Sequence, residues 1–512
     1  TATAPTLQAA SLWLAPYLPV AFKDGLTLPA GLAISAQPET AGLRLEVGRD
    51  AKGGLESPVS IWVYALVAPF PTIEDGVTSR ALRECWKGRA CEGQEVGPFA
   101  GRPLLLDESA YGVFSQYWGE PAPGAVTVLP VEKLLKTAWK EQPAWAIVPF
   151  EMLDPRWKVL EVDGQSPVRK DFDPQSYLLA VPFWLSGPPS LVDELRPGIP
   201  ATNRDPDKLT TVVLTGVTAM VRATAYLMER DGISSPARYI GDWLREADIT
   251  HISNEIPFSP KCPFPDPQQP GLRFCSHPRY IQLLEDIGVD VVELTGDHFA
   301  DWGAEATLYT LELYRERGWP YYGGGENIKD GRKPVLFEHH GNRIAFIGCN
   351  GKGRGYATAR DNAPGAVACD YDWMHAQIAR LRKEGYLPIV TFQHIEVYSY
   401  KAPPQMREDF LGMAEAGAVI VSGSQAHQAH GMEFEGSAFL HFGLGNLFFD
   451  QYRFFSGPET DRAFIDRHVF YGGRYISTEL LPITFISLST ARPMTPEERA
   501  VFLEEIFRAS GW

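Results

Sequence analysis

Five short apolar runs constrain this chain more than anything else in it. They are TTVVLTG (210–216), VDVVELTG (289–296), RIAFIGCNG (343–351), LPIVTFQH (387–394) and AVIVSGS (418–424). Successive apolar residues in a strand need cover on both faces, which is the signature of a parallel sheet flanked by helices. Helical stretches separate the runs: PARYIGDWLREA, HPRYIQLLEDIG, TLYTLELYRERG, DWMHAQIARLRKEG and REDFLGMAEAG. Strand and helix in alternation give an α/β class.

The alternation also occupies residues 1–186. SPVSIWVYALVAPF reads as a strand, and Thr78 or Ser79 can cap a helix over the residues that follow. VTVLPVEKLLKTAWKE reads as strand then helix, and PAWAIVPFEML, WKVLEVDG and SYLLAVPFWL as further strands. This order resembles the type 2 periplasmic-binding-protein fold of solute receptors. Residues 187–208, rich in Pro, Gly and Asp, read as a linker. A second domain is expected over 209–490. A C-terminal helix is expected within 491–512, with Thr495 as N-cap, Pro496 at N1 and Glu498 at N3 forming a capping box.

Charge and hydropathy exclude some functions. The chain has 63 acids against 47 bases, net −16, and no Lys/Arg-rich run, so a nucleic-acid partner is not expected. No stretch of 18 apolar residues occurs, so no membrane span is expected. The opening TATAPTLQAASLWL lacks both Met and a basic region and reads as a mature or trimmed chain.

Ligands of open α/β sheets sit at the carboxyl ends of strands. Here those ends carry Glu255; Asp297, His298 and Asp301; His394 and Glu396; and Gln425, His427 and Gln428. Three histidines at successive strand ends, each beside a carboxylate or amide, point to one crevice. Arg222, just after the first strand, could give a bidentate contact to a carboxylate or phosphate. Lys352 and Arg354, in GCNGKGRGY, either meet an anionic ligand or belong to a solvated loop.

The ordered motifs TTVVLTGVTAMVR, NEIPF, VVELTGDHFADWG, TFQHIEVY, GAVIVSGSQAHQ and LHFGLGNLFFD resemble the CapA family of capsule (poly-γ-glutamate) synthesis proteins. That resemblance implies a calcineurin-like metallophosphatase sandwich and a role in capsule or exopolymer assembly, anchoring or processing. It assigns Glu255, Asp297, His298, Asp301, His394, His427 and Asn446 to the family's site. Val217 stands where the family has its first metal-site Asp, Gln425 replaces a His, Asp297 replaces an Asn, and Glu396 is displaced. A dinuclear site needs a bridging carboxylate and a full protein ligand set. The losses leave none or one divalent metal (Mn, Zn or Fe), with Asp297, His394 and His427 as the expected holders. In an enzyme, His298 or His394 is the general acid/base, oriented by Asp301 or Glu396. Glu255, Asp297, Arg222, Gln425, His427 and Asn446 then contact the ligand, an anionic polymer or small molecule. In the rival reading the same crevice serves a non-catalytic receptor or surface scaffold. Association with the cell envelope and homo-oligomerisation are both compatible with either reading.

Six cysteines without a CxxC fit an oxidising, extracytoplasmic location. Fifteen pairings are possible, and the short spacings favour Cys85–Cys91, Cys262–Cys275 and Cys349–Cys369, each stabilising by roughly 2–4 kcal/mol. Peptide mapping of the unreduced chain is expected to return these pairs. Six free thiols would reject them, and the exported location with them.

Overall fold

The computed structural model describes residues 10–48, 57–89, 96–352, 355, 357–450 and 460–512. The chain divides into two compact units, Thr1–Asp207 and Lys208–Trp512. Both are α/β, as the strand–helix alternation implies.

The first unit is built on a mixed sheet. Its central strand, Ser60–Pro69, is buried along nearly its whole length because both faces are covered. It pairs antiparallel with Ala180–Ser186, Trp145–Pro149 and Trp157–Val162. Leu104–Leu106 continues the sheet parallel to Trp145–Pro149. Thr78 caps the helix Ser79–Trp86 by accepting from the Ala81 N–H. The Pro-rich segment expected as a linker is bound into this unit instead. It contains the helix Pro189–Leu195, and the Asn203 amide both accepts from the Val63 N–H and donates to the Val63 carbonyl, each at 2.8 Å. A side-chain amide that satisfies a strand's backbone in this way fixes the segment to the sheet.

The second unit stacks two sheets. In one, Leu209–Thr215, Ile249–Asn254, Val291–Glu293 and Tyr321–Tyr322 run parallel. Val217–Thr218 lies parallel to both Ile249–Asn254 and Asn446–Phe448. In the other, Asn342–Asn350, Leu387–Gln393, Ile420–Ser422 and Ala438–His441 run parallel. All five apolar runs are therefore buried parallel strands. The long hairpin Arg462–Tyr471 and Arg474–Phe485 extends the first sheet antiparallel to Leu209–Thr215; the sequence pattern did not announce it. The stretch PARYIGDWLREA supplies only a 3-10 turn and the short helix Gly241–Arg245, since Gly241 interrupts the expected helix.

The two sheets are tied together at their carboxyl ends. Gln425 Nε2 donates to Ser253 Oγ at 2.7 Å, Asn350 Nδ2 to the Thr295 carbonyl at 2.8 Å, and Ser424 Oγ to Glu293. Parallel strands put every carboxyl end of a sheet on one edge, so these cross-links gather both sets of strand ends into one region. Gly216 is obligatory there, because a Cβ would lie 1.9 Å from the Gly445 carbonyl oxygen. The C-terminal helix Pro496–Ser510 carries the expected capping box of Thr495 and Glu498. Disulfides join Cys262 to Cys275 and Cys349 to Cys369. Cys91 of the remaining expected pair lies outside the described residues. No helix among those residues is long and apolar enough to cross a membrane.

The core also holds neutral histidines. His468 is fully buried, with Nδ1 against Thr478 Oγ1 at 2.9 Å and Tyr475 Oη at 3.2 Å. Burial pushes it down to about 4; nearby Asp466 opposes this and His441 adds to it. The unfolded chain, titrating near 6.5, binds a proton that the folded chain refuses. Stability is therefore present above about pH 6.5 and is lost as pH falls toward 4, by on the order of 3 kcal/mol for this residue. Urea denaturation of the parent and of His468→Gln at pH 7 and pH 4.5 is expected to show a smaller acid loss in the variant. Equal losses would contradict this account of His468.

Candidate functional site

The site is built on residues just past the strand ends. Glu255 follows the strand Ile249–Asn254 and is fully buried. No described group hydrogen-bonds either of its oxygens. The nearest potential cation is His427, whose Nε2 lies 3.6 Å from Glu255 Oε1. Burial pushes the Glu255 carboxyl upward, and the His427 and His298 rings partly offset this. Gly296 passes directly over it: a Cβ at 296 would meet Glu255 Cα at 2.8 Å. A side chain at 296 would thus displace the carboxylate.

Asp297 and His298 begin the turn after Val291–Glu293. The Gln393 amide clamps Asp297, donating to Oδ1 at 2.9 Å and accepting from the Asp297 N–H at 2.7 Å. Asn350 Nδ2 donates to the same Gln393 oxygen at 2.6 Å. The clamp fixes Asp297 relative to the opposite sheet. Lys352 Nζ lies 2.7 Å from Asp297 Oδ2 and also pairs with Glu396. Burial pushes Asp297 and Glu396 up. For Asp297, His298 and then Lys352 outweigh this; for Glu396, His427 and then Lys352 do, so both end below their ordinary values.

His298 is oriented by Asp301. Its Nδ1–H donates to Asp301 Oδ2 at 2.8 Å, an oxygen that also accepts from the Phe274 N–H at 2.7 Å. This leaves Nε2 facing Asp297 Oδ1 at 4.0 Å. Burial alone would lower His298, but the Asp301 hydrogen bond and the charges of Glu255, Asp301 and Asp297 push it up to about 9. An imidazole in this setting holds a proton at neutral pH. His427 is oriented by Asn446: its Nδ1–H donates to the Asn446 oxygen at 3.0 Å, while Asn446 Nδ2 donates to the His427 carbonyl at 3.1 Å. Its Nε2 also lies 3.9 Å from Glu396 Oε1.

The structure therefore brings together Glu255, Asp297, His298, Asp301, Glu396 and His427, with Asn446 behind them. It turns three expected residues elsewhere. His394 Nε2 donates to Asp409 Oδ2 at 2.7 Å, so Asp409, not Glu396, orients this ring. Tyr371 Oη donates to the same Asp409 oxygen at 2.9 Å, and the ring packs near Phe392 and Phe410. Arg222 is a buried structural cation. Its guanidinium pairs with Asp450 at 2.9 Å and lies over the rings of Phe274 and Phe449. Gln425 is spent on Ser253, although its Oε1 stays buried without a hydrogen bond. Arg354 lies outside the described residues. Asp409 was missed in the sequence because it sits inside the helix Pro404–Glu415, where an acid signals only a polar face.

The donor set fits none or one divalent metal ion. Glu255, Asp297 and His298 offer ligand atoms within 4.8 Å of one another, and the unsatisfied Glu255 carboxylate is chemistry a hard cation suits. This trio shares only Asp297 with the expected Asp297, His394 and His427; the Nδ1 of His394 is buried without a hydrogen bond while its Nε2 is held by Asp409. Val217 is fully buried in an apolar cluster with Ala219, Val221, Ile256, Phe274 and Phe449.

Residues 211–451 match the family described as Bacterial capsule synthesis protein PGA_cap. The chain is similar to the Capsule biosynthesis protein CapA of Bacillus anthracis, 26% identical over 258 residues, covering 49% of this chain and 62% of that protein. It is also similar to the PGA biosynthesis protein CapA of Bacillus subtilis (strain 168), 22% identical over 307 residues, covering 59% of this chain and 78% of that one. The chain thus spans 62% of the length of the first of these relatives. The family resemblance read from the motifs is borne out over the matched residues. Among solved structures, a 5'-nucleotidase precursor from Thermus thermophilus aligns at 13% identity, 59% of this chain and 58% of that one, TM-score 0.34. An ABC-type phosphate transport receptor from Vibrio cholerae aligns at 15% identity, 30% of this chain and 72% of that one, TM-score 0.26. Scores this low carry no argument.

The Arg222–Asp450 pair supports the wall beside His298 and His427, since the rings of Phe274 and Phe449 contact those histidines. Removing one member of a buried pair leaves the other charge uncompensated, at roughly 3–5 kcal/mol. Asp450→Ala is expected to lose that much by urea denaturation. Glu433→Ala, which removes the partner of the exposed Arg407, should lose under about 1 kcal/mol. Equal small losses would show that the buried pair is not structural.

Proposed function

We propose, from the match of residues 211–451 to the bacterial capsule synthesis protein family, that this protein acts in making, anchoring or processing an extracytoplasmic polymer of the poly-γ-glutamate type. The observation that carries this reading is the crevice itself: a buried, unsatisfied Glu255 beside Asp297 and the His298–Asp301 pair.

The crevice is acidic. Glu255, Asp297, Asp301 and Glu396 stand against Lys352 and a protonated His298, so a polyanion gains little by entering alone. One divalent ion at Glu255, Asp297 and His298 would supply the positive charge that accepts a carboxylate or phosphate oxygen of the polymer. Without an ion on its Nε2, His298 is poised to donate a proton to a leaving group, with Asp301 stabilising the imidazolium. Asn446 keeps the His427 Nε2 turned toward Glu255 and Glu396. The pair of local disulfides suits an exported protein.

A second reading, a non-catalytic receptor or scaffold, is supported by the fully buried, apolar Val217, which stands where the family resemblance implies a metal-site carboxylate. The two readings separate on purified protein given a γ-linked glutamate polymer. Shortened chains support the enzyme, and binding with unchanged chain length supports the receptor.

In a capsule-forming host lacking its own homologue, the parent protein is expected to restore cell-associated polymer. Glu255→Gln and His298→Gln, at equal protein level, are expected to leave it at least tenfold lower. Full restoration by both variants would remove the crevice from the function.

A further inference from the structure

Lys352 occupies a position that the chemistry of this crevice reserves for a cation. Its Nζ sits between Asp297, at 2.7 Å, and Glu396. Asp297 already offers its other oxygen toward Gln393 and His298. Glu396 in turn lies 3.9 Å from His427 Nε2, which faces Glu255 at 3.6 Å. Lys352 thus joins Asp297, a member of the group of Glu255, Asp297 and His298, to Glu396, a carboxylate beyond that group.

We propose that the Lys352 ammonium is a built-in counter-ion that takes the place of a second divalent cation, holding the crevice to a single ion. Two carboxylates facing each other need positive charge between them. An ammonium is a compact point charge with three donors and no capacity to accept, so it satisfies two carboxylates while excluding a metal from them. The loop supports the placement: the Lys352 N–H donates to the Asn350 side-chain oxygen at 2.9 Å, and Asn350 is itself held by Thr295 and Gln393. Lys352 is therefore anchored to the clamp that positions Asp297. Val217, buried in an apolar cluster, offers no donor to the crevice, and Lys352 fills the space between two of the carboxylates that do. The proposal rests on the reading that the crevice takes cations, but not on the polymer or on catalysis.

The test is the number of Mn²⁺ or Zn²⁺ ions bound by the metal-stripped full chain, by calorimetric titration and by metal analysis after dialysis. Lys352→Met and Lys352→Gln are compared with the parent and with Lys352→Arg, which keeps the charge. Loss of the ammonium is expected to add one equivalent of metal, bound at least tenfold more tightly than any second ion in the parent, while Lys352→Arg adds none. The increment is what counts. A parent that binds no ion and a Met variant that binds one would support the counter-ion and overturn the single-ion reading of the parent. Unchanged stoichiometry in both neutral variants, each folded by circular dichroism, would overturn the proposal, as would a parent that already binds two ions.

Discussion

A carboxylate buried with no hydrogen bond is among the most expensive arrangements a fold can hold, and Glu255 is one. Much of the second unit's carboxyl edge is arranged around it. Gly296 passes over it with no room for a side chain. The imidazoles of His427, set by Asn446, and His298, set by Asp301, are the groups that bear on it. Nothing in the apolar core requires an acid there, since Val217, Ile256 and Phe274 pack close by without one.

The sheets explain how such a cluster is held. Each donor lies within a few residues of a strand end, so its backbone is fixed by a buried ladder while its side chain projects from the edge. Gln393 then ties Asp297 of one sheet to Asn350 of the other. That clamp sets the distances among carboxylates, imidazoles and the Lys352 ammonium. At this edge stand the buried Val217, Gln425 turned to Ser253, and Lys352 between Asp297 and Glu396.

Much of this was legible in the sequence, for definable reasons. Buried parallel strands are continuous apolar runs, and all five were recognisable as such. Capping at Thr78 and Thr495 was legible because a cap is a local pattern. The hairpin Arg462–Tyr471 and Arg474–Phe485 was not, because RAFIDRHVFY and RYISTELLPITF mix charged and polar residues among apolar ones at no single period. Glu255, Asp297, His298 and His427 were readable as strand-end residues. The partners of His394 and Arg222 were not: Asp409 lies 15 residues and Asp450 lies 228 residues away in the chain, and only tertiary packing joins them. Lys352 sits in a glycine-rich loop whose composition is equally that of a solvated turn, so its role emerged only with the positions of Asp297 and Glu396.

The central claim is that this edge is a single-cation site centred on Glu255. A crystal of the full chain soaked in Mn²⁺, with diffraction collected at a wavelength where manganese scatters anomalously, tests it most directly. The account predicts one anomalous peak within coordination distance of the Glu255 and Asp297 carboxylates, with Lys352 still between Asp297 and Glu396. Two peaks bridged by Asp297, or no peak with Glu255 hydrogen-bonded to protein alone, would contradict it.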